Sequence, residues 1–161
     1  MSLRTTKKIP KTADIQHAET GKAIDEKTVA WILPCNPNSY RIFAAFTDLD
    51  EIDWRQNRKY SVGDVVYIYC SHSWGYIAYK AVVTQTDIPR NNAIDDSKYV
   101  VGPGSYGQAD KYIRIRKIGS ATSKQLTIKN MRAHGLNGNA TLPGPMRISS
   151  PELQKYIEDN F

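Results

Sequence analysis

Apolar and polar positions alternate most clearly from Tyr112 to Ile118, where Tyr-Ile-Arg-Ile-Arg-Lys-Ile predicts a half-buried strand. Ile113 and Ile115 fall on its core face, and Tyr112, Arg114 and Arg116 on the other. The run Val65 to Cys70 is β-branched and aromatic, and Gly63-Asp64 before it reads as a turn, so it predicts a second strand. Tyr76 to Thr84 predicts its antiparallel partner across the loop Ser71-His72-Ser73-Trp74-Gly75. Val29 to Leu33 is a short apolar run stopped by Pro34, which fits a buried strand better than a helix. Asn36-Pro37-Asn38-Ser39 then reads as a turn.

Helical spacing is weaker. Tyr40, Phe43 and Phe46 with Ala44 and Ala45 between them predict a short amphipathic helix. Leu126 to His134 predicts another, stopped by Gly135. Ser150-Pro151-Glu152 opens the last one with an N-cap residue, a proline at the first helical position and an acid in the first turn. Leu153, Tyr156 and Ile157 give it an apolar face. Asp48 to Arg58 reads as irregular around Trp54, Gln85 to Ser97 as a polar loop, and Tyr99-Val100-Val101 as a short strand. Residues 1–28 are polar and basic with little periodicity, and read as a flexible arm. Residues 29–161 then form a single domain. Central strands with short helices early and late predict an α+β domain built on a small, strongly curved sheet or open barrel.

Composition narrows the class. The 161 residues suffice for one domain with a real core, and 40% hydrophobic with 24% charged residues is ordinary for a soluble protein. No apolar run is long enough for a membrane helix, and Met1 to Lys11 has no secretory apolar stretch. Two cysteines give no disulfide framework, so the expected setting is the reducing cytoplasm. The net charge of +6 is uneven: from Lys111 to Arg132 there are seven basic residues and no acid. Two readings compete for that stretch, a solvated basic face and a phosphate-binding surface.

Catalytic and metal chemistry find little support. His17, His72 and His134 are far apart, and the cysteines form no C-x-x-C pair, so no metal or other cofactor is expected. Cys35, or Cys70 with His72, are nucleophile candidates on composition, but a buried inert thiol is the commoner case. Gly102-Pro103-Gly104-Ser105-Tyr106-Gly107 follows no phosphate-loop motif and reads either as a mobile loop or as a close backbone approach to a phosphate.

Aromatic residues carry more. All three tryptophans, Trp31, Trp54 and Trp74, lie between positions 31 and 74. Trp31 heads a strand and reads as core. Trp54 sits among polar residues and Trp74 at a loop tip, so these two are the stacking candidates for a flat ligand. Tyr67 and Tyr69 share one strand face with Ser71 in line, either as ordinary core or as a polar-tipped aromatic row. Cys35 and Asn36, just past the first strand, offer backbone groups and an amide able to read a base edge.

Taken together, Trp31-Ile-Leu-Pro-Cys-Asn-Pro, Trp54, Val62-Gly-Asp-Val-Val-Tyr-Ile-Tyr-Cys-Ser71 and Ile77-Ala-Tyr-Lys-Ala-Val-Val83 resemble an EVE domain, a member of the PUA-like superfamily alongside YTH and SRA domains. The resemblance spans about residues 29–118. Pro145-Met-Arg-Ile and the last helix also look like EVE-type proteins found near restriction systems. The resemblance implies a PUA-like pseudo-barrel with a pocket for a modified base, most often modified cytosine in DNA. It implies that Cys35 and Asn36 meet the base edge, that Trp54 stacks on it, and that Tyr69 and Ser71 belong to the pocket strand and its end. The chain departs from it in having Pro34-Cys35-Asn36 where many EVE domains have Lys-Ser-Glu.

The expected function is therefore non-catalytic binding of nucleic acid, with Cys35, Asn36, Trp54, Tyr67, Tyr69, Ser71 and Trp74 around the base. Arg114, Arg116 and Lys117 would sit on phosphates, with no metal and with an effector, such as a nuclease, encoded separately. The competing reading is an RNA-binding protein or ribonuclease using Lys80, Tyr79 and His72.

Overall fold

Three N–H groups converge on one buried carboxylate near the start of the domain, and they explain the Gly63-Asp64 step. In the computed structural model, which describes residues 28–102, 109–138 and 141–161, Asp64 is 1% exposed. It accepts from Val29 N at 3.0 Å, Ser61 N at 3.0 Å and Trp31 Nε1 at 3.0 Å. Gly63, at φ 97°, makes the left-handed turn that delivers it. The first strand, the 61–64 turn and the second predicted strand are thus tied at one point.

The elements are β1 (Ala30–Cys35), α1 (Ile42–Asp48), β2 (Glu51–Arg55), β3 (Val65–Cys70), β4 (Tyr76–Pro89), β5 (Lys111–Ser120), α2 (Ile128–Arg132), β6 (Met146–Arg147) and α3 (Pro151–Asp159). The strands form one six-stranded sheet in the order β2-β5-β4-β3-β1-β6. β1 runs parallel to β3 with Cys35 beside Cys70, and the other pairs are antiparallel. The register of β4 against β5 shifts at Lys80/Ala81, Val83/Gln85 and Gln85/Ile88. Such irregularities bend and twist a strand, and here they curl the sheet into an open pseudo-barrel whose edges are β2 and β6. The architecture is the α+β one expected from the sequence.

Two cores lie on the two faces. Inside the curl, Leu33, Cys35, Val66, Ile68, Cys70, Ala81, Ile113 and Ile115 pack with Ile42, Ala45 and Phe46 of α1. On the outer face, Ile32, Val65, Tyr67, Tyr69 and Ile77 pack under Met131 of α2 and Leu153 and Ile157 of α3. All six residues of β3 are buried because both of its faces are covered. Ser150 Oγ accepts from Leu153 N at 3.2 Å, capping α3, and Pro151 follows at its first position. Gly135 ends the α2 segment at φ 108°, where an added Cβ would lie 2.6 Å from Ser150 Oγ. The two C-terminal helices therefore meet through a glycine for want of room.

Several boundaries differ from the sequence reading. Asp48 to Arg58 is not irregular: it contains β2, whose alternation is hidden by an acid at a buried position, Asp53, 7% exposed. The first helix starts at Ile42, because Arg41 N donates to Tyr99 O at 2.8 Å and Tyr40 bridges to Val100. β4 continues five residues past Thr84, to Pro89. Tyr99 to Val101 forms only that isolated bridge, preceded by a 3-10 turn at Ser97–Tyr99. Pro34 lies inside β1 rather than stopping it, beyond the two-residue pairing with β6 where the strand is an edge. The N-terminal arm, up to residue 27, and residues 103–108 of the glycine-rich loop lie outside the described residues. No described helix is long and apolar enough to cross a membrane.

Candidate functional site

The ends of β1 and β3 lie side by side because Cys35 and Cys70 are register partners. The turn after β1 and the loop after β3 therefore open at the same end of the pseudo-barrel. Ser71 closes that join: its backbone N donates to Cys35 O at 2.9 Å, and its Oγ donates to the same oxygen at 3.2 Å. Asn36 is held by its own turn. Its Oδ1 accepts from Asn38 N at 3.0 Å, and its Nδ2 donates to Ser39 Oγ at 3.3 Å. The amide is thus oriented before any ligand arrives.

These residues form one wall of a cleft of about 1170 Å³. Trp54, near the end of edge strand β2, forms another. The Trp54 ring meets Tyr40 edge to face, with centroids 5.9 Å apart at 83°. Tyr40 is 4% exposed and donates its hydroxyl to Asp96 Oδ2 at 2.6 Å. The segment from Arg90 to Ser97 and the turn Leu142-Pro143-Gly144-Pro145 complete the lining. The cleft is larger than one nucleobase needs and lies just above the usual range of small-ligand sites, roughly 300–1,000 Å³.

Charge within the cleft is organised. Asp53 binds the Arg114 guanidinium bidentately, at 2.8 and 2.9 Å, and its Oδ2 also accepts from Ile94 N at 2.7 Å. That hydrogen bond to Asp53 holds Arg114 above the ordinary arginine range. Asp95 is held below the usual carboxylate range, first by the Ser97 side chain and then by its backbone N–H. Asp96 is different: burial raises its carboxyl pKa, outweighing the lowering by Tyr40. Burial, and then the Asp96 hydrogen bond, push the Tyr40 phenol far above its ordinary range, so it stays a donor.

A pH test follows. A carboxyl whose folded-state pKa is raised favours folding below its unfolded value, near 3.8, and loses that contribution as pH rises through the folded value. Ionised Asp96 therefore costs stability at neutral pH, whereas an asparagine there still accepts from Tyr40. Asp96→Asn is expected to match or exceed the wild type in urea midpoint at pH 7. Its advantage should shrink as pH falls toward 4. A neutral-pH loss of more than about 1 kcal/mol would show that the charged hydrogen bond outweighs burial.

Of the seven residues expected around a base, four line this cleft: Cys35, Asn36, Trp54 and Ser71. Three do not. Tyr67 is 0% and Tyr69 8% exposed, both in the outer core beneath the C-terminal helices. The Tyr67 hydroxyl donates to Glu158 of α3, which also pairs with Lys80 at 2.8 Å. The aromatic row is thus a packing layer, because β3 is a central strand roofed on both faces. Trp74 folds back and stacks on Phe43 of α1, with centroids 6.1 Å apart at 30°, and lies partly buried outside the cleft lining.

Two of the three phosphate candidates are engaged within the protein. Arg114 is committed to Asp53, and Lys117 Nζ donates to Phe46 O at 2.9 Å beside the Phe46 and Tyr79 rings. Arg116 is half-buried on β5, opposite Glu51 of β2. Tyr112, expected to face out, is buried at 9%, accepts from Ala109 N at 2.9 Å and lines the cleft.

Nor are the ribonuclease suspects assembled. Tyr79 packs in the inner core, Lys80 pairs on the outer face, and His72 is exposed on the 71–75 loop at φ 61°. Cys70 is buried and its thiol is pushed up to about 12 by burial, so little thiolate exists at neutral pH. Among the described residues no group of three metal-ligating side chains occurs.

Tyr40, Asp96, Arg55, Arg58 and Arg90 were missed at the sequence level. Arg55 and Arg58 flank Trp54 closely enough to have been found; Asp96 and Arg90 lie in a segment without periodicity.

No family model matches the chain, and no curated protein matches it. Solved structures do. A hypothetical protein from Leishmania major superposes with a TM-score of 0.59 at 18% identity, over 84% of this chain and 96% of that one. Human THYN1, solved in complex with 5-methylcytosine-containing DNA, gives 0.57 at 10% identity, over 82% and 96%. The ASCH protein of Zymomonas mobilis gives 0.53 at 10% identity, over 80% and 94%. At these identities the likeness is one of fold, and the fold of this chain is the PUA-like α+β pseudo-barrel.

Proposed function

We propose that this protein is a nucleic-acid binder that takes one base into the cleft and stacks it on Trp54. The observation that carries this reading is the convergence of Cys35, Asn36, Trp54 and Ser71, from separate stretches of chain, on one cavity. A flat aromatic beside fixed amide, hydroxyl and backbone groups is suited to a base: stacking supplies affinity and polar edges supply choice. Asp95 and Asp96 add acceptors, which favour a base with an exocyclic amine over thymine. The solved complex of human THYN1 with 5-methylcytosine DNA, on the same fold, favours modified cytosine in DNA. The chemistry that follows recognition would fall to a separate effector such as a nuclease.

The test is binding of purified protein to matched oligonucleotides at one salt concentration. The set is unmodified, 5-methylcytosine, 5-hydroxymethylcytosine and N6-methyladenine, each in DNA and RNA. A preference of tenfold or more for a modified cytosine, about 1.4 kcal/mol, is expected. Equal and steeply salt-dependent binding to all of them would reduce the protein to a general polyanion binder.

A further inference from the structure

Directly after Trp54 the chain reads Arg55-Gln56-Asn57-Arg58-Lys59, three cations and two amides with no acid, before Tyr60 returns to the core at 5% exposed. This strap is anchored at both ends, by the Trp54 contact with Tyr40 and by the Trp31–Tyr60 ring pair at 4.7 Å. It is pinned in the middle as well. Gln56 N donates to Lys111 O at 2.9 Å, and Gln56 Oε1 accepts from Asp87 N at 2.7 Å. Arg55, Asn57, Arg58 and Lys59 are exposed along it.

The strap is a ridge between two depressions. Arg55, Asn57 and Arg58 line the base cleft, while Asn57, Arg58 and Lys59 line a shallow polar hollow beside it with Lys111, Asp87 and Asp110. The acids of that hollow already face cations: Asp87 lies 3.4 Å from Lys111, and Asp110 lies 3.6 Å from Arg90. Among the described residues, Arg55, Arg58 and Lys59 form no ion pair, in contrast to Arg114 on β5.

We infer that Arg55, Arg58 and Lys59 hold the phosphate backbone flanking the captured base, so that the polynucleotide leaves the cleft over this ridge rather than along β5. The inference rests on the base-binding reading of the cleft. Platform and phosphate grip are then one continuous segment, with the stacking ring beside its first cation. Phosphate contacts of this kind position the strand and raise affinity without reading sequence.

The experiment compares wild type with Arg55→Gln/Arg58→Gln/Lys59→Gln and with Arg116→Gln, titrating matched modified and unmodified oligonucleotides across a salt series. All three strap side chains are exposed, and circular dichroism and thermal melting check that the fold persists. The strap variant is expected to lose roughly tenfold in affinity for every oligonucleotide alike, with base preference kept. Its slope of log K against log salt should fall by roughly 2–3, about 0.7–0.9 for each of the three lost contacts. Arg116→Gln should leave the slope unchanged. An unchanged slope in the strap variant, with binding intact, overturns the ridge path while leaving the cleft reading in place; a reduced slope in Arg116→Gln assigns the path to β5. Absence of wild-type binding to every oligonucleotide overturns both.

Discussion

Asp64→Ala is expected to destabilise the protein by about 4 kcal/mol or more, enough to unfold much of a marginally stable domain. The carboxylate accepts from three donors, and it is almost fully buried. Alanine leaves the buried Trp31 indole N–H without that acceptor, and the part-buried Val29 N and Ser61 N as well. An orphaned buried donor costs about 1–3 kcal/mol, more when the lost partner was charged. The loss should spread, because the same carboxylate ties β1 to the turn before β3 and so sets the parallel pairing. Asp64→Asn, which keeps the volume but only one acceptor oxygen, should fall between. Urea unfolding monitored by tryptophan fluorescence measures both. An alanine variant within about 1 kcal/mol of wild type would mean that water replaces the carboxylate, and that the Gly63-Asp64 step matters for its turn alone.

Trp54→Ala is expected to weaken oligonucleotide binding by about 1–3 kcal/mol, roughly fivefold to 150-fold, the range for loss of one base–aromatic stack. Unlike loss of a phosphate contact, this should fall hardest on the preferred base and flatten the discrimination between bases. Trp54→Phe should recover part of it. Trp74→Ala is the contrasting case: its ring lies on Phe43 rather than in the cleft, so stability should drop while base preference holds. If Trp54→Ala binds the preferred oligonucleotide as tightly as wild type does, stacking on Trp54 is excluded. Because Trp54 also touches Tyr40, the melting temperature of each variant must accompany its affinity.

The two tryptophans show where reading the chain succeeds and where it stops. Both looked exposed from their polar neighbours. Both are partly buried, but one lines a cavity and the other lies against the first helix, a difference set by contacts with residues 14 and 31 positions away, Tyr40 and Phe43. Tyr67 and Tyr69 make the same point. Their shared face follows from the two-residue period of a strand, but whether that face meets ligand or protein depended on helices more than 55 residues later. β2 was hidden because Asp53 occupies a buried strand position, where an ion pair with Arg114 on the neighbouring strand and a hydrogen bond from Ile94 N complete the carboxylate. That same pair removes Arg114 from the phosphate candidates.

Local pattern, then, determined what depends on near neighbours. The strands at 65–70 and 112–118, the capped last helix, the glycine after α2 and the α+β class all follow from side-chain period and from the backbone freedom of glycine and proline. Cys35 and Asn36 at the end of the first strand, and Ser71 just past the strand at 65–70, were legible as strand-end positions. Only the tertiary structure decided that these ends are adjacent, since parallel pairing of β1 with β3 is a contact across more than thirty residues. It also decided which charges are spent on each other. A cation's availability depends on whether an acid lies within a few ångströms in space, and sequence distance carries almost no information about that.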